Sequence, residues 1–69
     1  PRLRGLERAC RERSRVRLLY GAVGEAPIPL EVVPWLLFEQ GSHGYLEAEC
    51  CASGILKTYR LDRIQRVLA

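Results

Sequence analysis

The stretch YLEAECC, residues 45–51, alternates apolar and polar side chains almost one for one. A period of two is typical of a β-strand that buries one face and exposes the other. The side chains predicted to point inward are Leu46, Ala48 and Cys50. Those predicted to face solvent are Tyr45, Glu47 and Glu49. This stretch therefore predicts a half-buried strand of an antiparallel sheet.

Similar short apolar stretches lie on both sides of this strand, and turns rich in glycine and proline separate them. Pro29 predicts that one stretch is an edge strand or begins late, because proline cannot donate to a strand ladder. Pro34 predicts a break before WLLFEQ, and GSHG after it predicts a tight turn that contains His43. The further predicted strands cover residues 15–20, 28–34, 35–40 and 55–61.

The two ends of the chain show helical patterns. Apolar residues near the start recur at helical spacing, which predicts a short amphipathic helix over about residues 3–13. Its apolar face comprises Leu3, Leu6, Ala9 and Cys10. Near the other end, Asp62 is followed three residues later by Gln65, the spacing of a capping box. This pair predicts a short helical turn over about residues 62–68.

A chain of 69 residues with 48% hydrophobic residues is predicted to form one domain, residues 1–69. One helix and about five short strands predict a mainly β protein. The economical arrangement is a small five-stranded antiparallel barrel, SH3-like or Sm-like, over about residues 15–61 and preceded by the short N-terminal helix. Since the chain has no initiator methionine, we expect the domain to be cut from a longer protein.

Charge is segregated along the sequence. Residues 1–20 carry seven Arg and two Glu, and residues 21–56 carry five Glu and no Lys or Arg. Residues 57–69 carry three Arg and one Lys against one Asp. If the two ends meet in space, they form a basic surface suited to anionic partners. No apolar run approaches the roughly 18 residues of a membrane span, so we expect no membrane partner.

The three cysteines are predicted to be reduced, structural thiols. Cys50 and Cys51 are neighbours whose side chains point to opposite faces of a strand, and no other Cys or His pair has zinc spacing. We therefore expect no metal, no cofactor and a reducing cytoplasm.

The sequence also lacks the partner residues of a catalytic triad and a glycine-rich loop that opens a helix, which argues against an enzyme.

Two arginines three residues apart, Arg60 and Arg63, stand in the segment YRLDRI, residues 59–64. Guanidinium groups bind phosphate oxygens through paired hydrogen bonds, and Asp62 can cap the turn that aims them. The same arginines can instead pair with the outward glutamates of the neighbouring strand. The residues alone leave ligand binding and structural pairing open.

Four other residues are candidates for the same surface. Tyr45 faces outward and can stack on a nucleic-acid base, or pack against a neighbouring strand. Tyr20 ends the first strand on its apolar face, which favours a core position. His43 is the only histidine of the chain. Arg17 can extend the basic surface or belong to a solvated face.

The segment HGYLEAECCASGILKTYRLDRI, residues 43–64, resembles the WYL domain, a bacterial family named for a Trp-Tyr-Leu motif. Tyr45 and Leu46 match that motif, and TYRLDRI, residues 58–64, matches the closing strand of the family. The Trp of the motif is Gly44 here, so any contact of that ring is lost. VRLLY and EVVPWLLF resemble further strands of the family.

The resemblance covers roughly residues 8–68 and implies an Sm-like, SH3-type β-barrel that senses or binds a ligand. It further implies nucleic acid or a nucleotide-derived effector as the ligand, in a transcription regulator or as an accessory domain of a helicase or nuclease. We therefore predict a regulatory module that binds single-stranded DNA or a nucleotide-derived phosphate ligand. The predicted binding residues are Arg60, Arg63, Tyr45, Tyr20, His43 and Arg17. The alternative is a protein–protein interaction barrel that mediates oligomerisation through the tyrosines and Trp35.

Overall fold

The computed structural model describes residues 4–68. Its elements are α1 (Arg4–Glu12), β1 (Val16–Tyr20), β2 (Ile28–Gln40), β3 (His43–Cys50), β4 (Leu56–Arg60), a 3-10 helix (Leu61–Arg63) and β5 (Ile64–Leu68). The five strands form one antiparallel sheet in the order β4-β3-β2-β1-β5, so that β4 and β5 lie at its two edges. The prediction of a mainly β domain with five antiparallel strands and a short N-terminal helix is confirmed.

The core lies between α1 and the inner face of the sheet. The helix contacts β2, and its predicted apolar face is buried as far as the structure describes it, whereas Leu3 lies outside the described residues. The predicted inward face of β3 is buried as well. The core cluster comprises Leu6, Ala9, Cys10, Val16, Leu18, Val32, Leu46, Ala48, Tyr59 and Ile64. Burial of these apolar groups is the main stabilising contribution in so small a domain.

Residues 28–40 form one long strand, whereas the sequence predicted two strands with a break at Pro34. Pro34 is fully buried inside β2, and the pairing with β3 shifts between Pro34 and Leu36. This β-bulge lets the strand bend without ending. Pro29 pairs with Leu19 of β1 in a part of β2 that β3 does not reach, because pairing with β3 starts at Val32. The first residues of β2 thus have a neighbouring strand on one side only, and proline is tolerated at such an edge of a sheet.

Residues 64–68 form strand β5, so the predicted helical turn over 62–68 is wrong beyond the 3-10 helix Leu61–Arg63. Ile64 and Val67 stand three residues apart, as on a helix, yet they pair with Tyr20 and Leu18 of β1. A register shift in this ladder inserts one residue between the two inward positions and so mimics a helical period.

Gln65 does not form a capping box either. Its side-chain amide lies 3.2–3.3 Å from three backbone carbonyl oxygens, those of Gly21, Ala22 and Glu25. Gln65 therefore holds the loop between β1 and β2 against β5.

Arg13 joins the end of α1 to the bulge of β2. It adopts a φ of +53°, in the left-handed region that often ends helices. Its guanidinium donates to the carbonyl oxygen of Cys10 and, at 3.0 Å, to that of Trp35. The guanidinium carbon also lies 4.4 Å from the centre of the Trp35 ring, a cation–π contact. Trp35 is thereby fixed at the surface, where it is 43% exposed.

The cysteines offer a test of the register of β3. Cys10 and Cys50 are 9% and 8% exposed, whereas Cys51 is half-buried in the following turn. Burial raises the pKa of the Cys10 thiol, while hydrogen bonds with Ser53 lower that of Cys50. Access limits both, so we expect a thiol reagent to modify Cys51 quickly and the other two slowly in the folded domain. Equal fast labelling of Cys50 and Cys51 would show that the register is displaced by one residue.

Candidate ligand-binding surface

Three side chains form a row across the outer face of the sheet. Phe38 of β2, Tyr45 of β3 and Arg60 of β4 lie directly opposite one another in the strand register. Directly opposed residues share a face and touch. The rings of Phe38 and Tyr45 are stacked, with centres 5.4 Å apart and planes inclined by 23°. The imidazole of His43 stands edge-on to Tyr45, with ring centres 6.5 Å apart.

The hairpin of β2 and β3 brings Phe38, His43 and Tyr45 together, and the pairing of β4 with β3 adds Arg60. Residues 41–42 form the turn between β2 and β3, and Gly41 has a φ of +64°. A positive φ at this position is typical of tight hairpin turns, which favour glycine for that reason. His43 is therefore the first residue of β3, whereas the sequence placed it in the turn.

Arg60 is held in one orientation by two partners. Its Nε and Nη2 atoms donate to the two carboxylate oxygens of Asp62, at 3.1 and 2.6 Å. Its Nη2 also donates to Nδ1 of His43 at 3.2 Å. Nη1 makes no hydrogen bond to any part of the chain that the structure describes. We call Phe38, His43, Tyr45, Arg60 and Asp62 the Arg60 cluster.

The charge of the Arg60 cluster is unevenly compensated. The hydrogen bonds from Arg60 hold the pKa of the Asp62 carboxyl below its usual range, and the nearby charges of Arg60 and Arg63 act in the same direction. The Arg63 side chain is exposed and makes no hydrogen bond or ion pair with residues 4–68. Its guanidinium is thus available to an anion, next to a pair that already cancels its own charge.

Tyr20 supports this surface from below. Its ring is half-buried and meets Tyr59 edge to face, with ring centres 5.2 Å apart. Its hydroxyl oxygen accepts a hydrogen bond from the backbone N–H of Arg60 at 3.3 Å. The structure therefore places Tyr20 beside the core, as its position on the apolar face of β1 favoured.

Arg17 lies away from the Arg60 cluster. It lies opposite Glu31 of β2 in the strand register. Glu31 precedes Phe38 by seven residues, so roughly 20 Å of strand separates Arg17 from the row of Phe38, Tyr45 and Arg60. The Glu31 carboxylate forms an ion pair with the Arg15 guanidinium, with Nη1 and Oε2 3.9 Å apart. The sequence did not predict this separation, because it gave no register between β1 and β2.

Two carboxylates border the cluster on the outer face of β3. Glu47 follows Tyr45 on that face and lies opposite Leu36 and Thr58, and Glu49 continues the line. Neither forms an ion pair with a described residue. The sequence left open a pairing of Arg60 with these glutamates; in the structure Arg60 pairs with Asp62 instead.

Gly44, which stands where the family motif has Trp, is covered by Leu61 of the 3-10 helix. A Cβ atom built on Gly44 would lie 2.9 Å from Cδ1 of Leu61. Any larger side chain would have to displace Leu61, which packs against the core. Leu61 thus fills the space that a side chain at position 44 would enter.

Other features of the described chain add no second site of this kind. No group of three or more His, Cys, Asp or Glu residues within it could hold a metal ion. An open depression of about 350 Å³ lies between the start of β2 and the turn after β3, lined by Arg15, Glu31 and Cys51 among others. None of the helices among residues 4–68 is long and apolar enough to cross a membrane.

Comparison with known proteins identifies the class. The model of the WYL domain family matches residues 1–68, and the chain belongs to this family. Among solved structures, it is similar to proteasome accessory factor B/C (PafBC) of Arthrobacter aurescens, with 28% identity and a TM-score of 0.82. The match covers 91% of this chain and 10% of the PafBC chain, so the domain spans about a tenth of that protein. No curated protein sequence matches the chain.

Proposed function

We propose that this domain is a non-catalytic regulatory module of a larger cytoplasmic protein, and that the Arg60 cluster and Arg63 bind a phosphate-bearing ligand. The preferred ligand is single-stranded nucleic acid. The observation that carries the proposal is the row of Phe38, Tyr45 and Arg60. It sets a stacked aromatic pair beside an oriented guanidinium. The charge of Arg63, which has no ion pair among residues 4–68, lies close enough to act on Asp62.

This arrangement suits the two chemical parts of a nucleotide. The Phe38–Tyr45 stack offers an apolar platform for a base, and base–aromatic stacking typically contributes about 1–3 kcal/mol per base. The arginines suit phosphate oxygens, which guanidinium groups bind through charge-assisted hydrogen bonds. Membership of the WYL family and the similarity to a domain of PafBC support a module within a longer regulatory protein.

We also propose that the sheet curls into an SH3-like or Sm-like barrel. Tyr20 of β1 and Arg60 of β4 are joined by a hydrogen bond, although two strands separate β1 from β4 in the sheet order. The 3-10 helix Leu61–Arg63 links the two edge strands directly. Both features favour a strongly coiled sheet over a flat one.

Binding of a fluorescent single-stranded oligonucleotide tests the ligand. Arg60→Ala and Arg63→Ala should each weaken binding about tenfold, because each removes a charged hydrogen-bond donor. Each should also flatten the slope of log affinity against log salt by about 0.7, the value for one phosphate contact to a single strand. Tyr45→Leu should weaken binding without changing that slope, because stacking releases no counterions.

Arg11→Ala is the matched control, since Arg11 is exposed on α1 and forms no ion pair within the described chain. It should leave oligonucleotide affinity within about twofold, as expected for a charge outside the contact. If Arg11→Ala weakens binding as much as Arg60→Ala does, the affinity reflects overall charge and the assigned surface is wrong.

The second candidate is a protein–protein interaction module. Leu36 and Leu56 are 51% and 49% exposed on the outer face, and Trp35 is nearby in sequence. Exposed apolar groups of this kind occur at interfaces. Concentration-dependent self-association that is lost in Leu36→Ser, together with oligonucleotide binding that is absent or indifferent to salt, would favour this candidate.

A further inference from the structure

We infer that the Arg60 cluster recognises a terminal phosphate monoester, and that this group binds by replacing the carboxylate of Asp62 on Arg60. The inference rests on the proposed function, which it narrows from any phosphate-bearing strand to a strand end or a mononucleotide.

The first observation is the position of Asp62. Its two oxygens accept hydrogen bonds from Nε and Nη2 of Arg60. These two donors form the edge of a guanidinium that can bind a phosphate through two parallel hydrogen bonds. Nδ1 of His43 accepts a hydrogen bond from the same Nη2. The charge of Arg63 is close enough to stabilise the ionised carboxylate of Asp62. An anion thus already sits on the paired donors of Arg60, within reach of the charge of Arg63, and it marks the place for an anionic ligand group.

The second observation is that Asp62 can leave. Its side chain is 56% exposed, and that of Arg60 is 34% exposed. Exposed ion pairs contribute little to stability, because water solvates both partners when they part. A short rotation of the Asp62 side chain towards solvent would free the paired donors of Arg60.

The third observation is the acidic border of the cluster. Glu47 and Glu49 continue along the outer face of β3 directly after Tyr45, without an ion pair among residues 4–68. A continuous phosphate backbone that followed β3 would run alongside these carboxylates and be repelled. A chain that ends at Arg60 avoids them.

The charge balance then selects the kind of phosphate. A phosphodiester carries one negative charge, so exchanging it for the Asp62 carboxylate leaves the charge beside Arg60 unchanged. A phosphate monoester carries about 1.5–2 negative charges at pH 7, and the additional negative charge lies near the guanidinium of Arg63. A carboxylate ligand would merely replace like with like.

The test compares one short single-stranded DNA with a 5′-phosphate, with a 3′-phosphate and with hydroxyl groups at both ends. One terminal phosphate should tighten binding to the wild-type domain about fivefold or more, given the additional charge at contact distance. Arg60→Ala should remove this difference, whereas the control Arg11→Ala should retain it. Competition by a nucleoside 5′-monophosphate shows whether the terminal phosphate that the domain recognises belongs to a free nucleotide or to a strand end. Effective competition identifies a free nucleotide, and weak competition identifies a strand end.

Asp62→Asn supplies a second, independent measurement. The amide keeps the shape of the side chain and one acceptor oxygen but removes the competing charge, so all three DNA forms should bind about threefold or more tighter. Weaker binding by Asp62→Asn, or equal binding of phosphorylated and hydroxyl-ended DNA by the wild type, would overturn the inference. Equal binding that still depends on Arg60 and Arg63 would leave the proposed function intact. Absence of any binding that depends on them would overturn both.

Discussion

Replacing Leu46 with alanine should lower the free energy of unfolding by about 2–5 kcal/mol, the usual cost of removing a buried leucine side chain. Leu46 is fully buried in β3, between Leu37 of β2 and Tyr59 of β4 in the strand register. At about 0.05–0.15 kcal/mol per residue, a domain of this size has roughly 3–10 kcal/mol of stability in all. The variant should therefore be close to unfolding at room temperature. Urea denaturation followed by circular dichroism measures the change.

Leu36→Ala is the control of the same chemistry on the opposite face. Leu36 is 51% exposed in β2, opposite Glu47. Its truncation should change the free energy of unfolding by less than about 0.5 kcal/mol, as is usual for surface positions. If the two variants lose equal stability, the assigned inner and outer faces of the sheet are incorrect.

The sequence predicted β3 well because its alternation is uninterrupted. Each inward residue from Leu46 to Cys50 is small or apolar, and a one-residue slip would bury glutamates. Prediction was wrong where bulges interrupt the period. The shift near Pro34 hides the continuity of β2, and the shift near Gln65 gives β5 a helical spacing. Bulges depend on which strands pair, which local spacing does not specify.

The candidate surface was predicted in part for a related reason. Alternation alone places Tyr45 and Arg60 on outward faces. Phe38 was missed, although a two-residue turn at 41–42 fixes the register of its hairpin and sets Phe38 opposite Tyr45. The pairing of Arg60 with Asp62 could not be predicted. It depends on the 3-10 turn after β4, where the sequence indicated a helix cap.

Tyr20→Ala should cost about 3–5 kcal/mol, like other truncations of packed aromatic residues, and Tyr20→Phe separates the ring from the hydroxyl. The phenylalanine keeps the edge-to-face contact with Tyr59 but leaves the backbone N–H of Arg60 without its acceptor. An unsatisfied, partly buried donor costs about 1–3 kcal/mol. In a domain of this size, each kcal/mol corresponds to about 4–8 °C in Tm. Thermal unfolding should therefore show a clear decrease for Tyr20→Phe.

Oligonucleotide binding by the same variant decides the role of Tyr20. If Tyr20 supports Arg60 from within the fold, Tyr20→Phe should lose stability while its affinity, measured well below Tm, stays within about threefold, since all ligand contacts remain. Tyr45→Phe is the control for the effect on Tm of removing a tyrosine hydroxyl. The Tyr45 hydroxyl has no hydrogen-bond partner among the described residues, and its ring stays stacked on Phe38. An unchanged Tm with a large loss of affinity in Tyr20→Phe would instead make Tyr20 a ligand-contact residue.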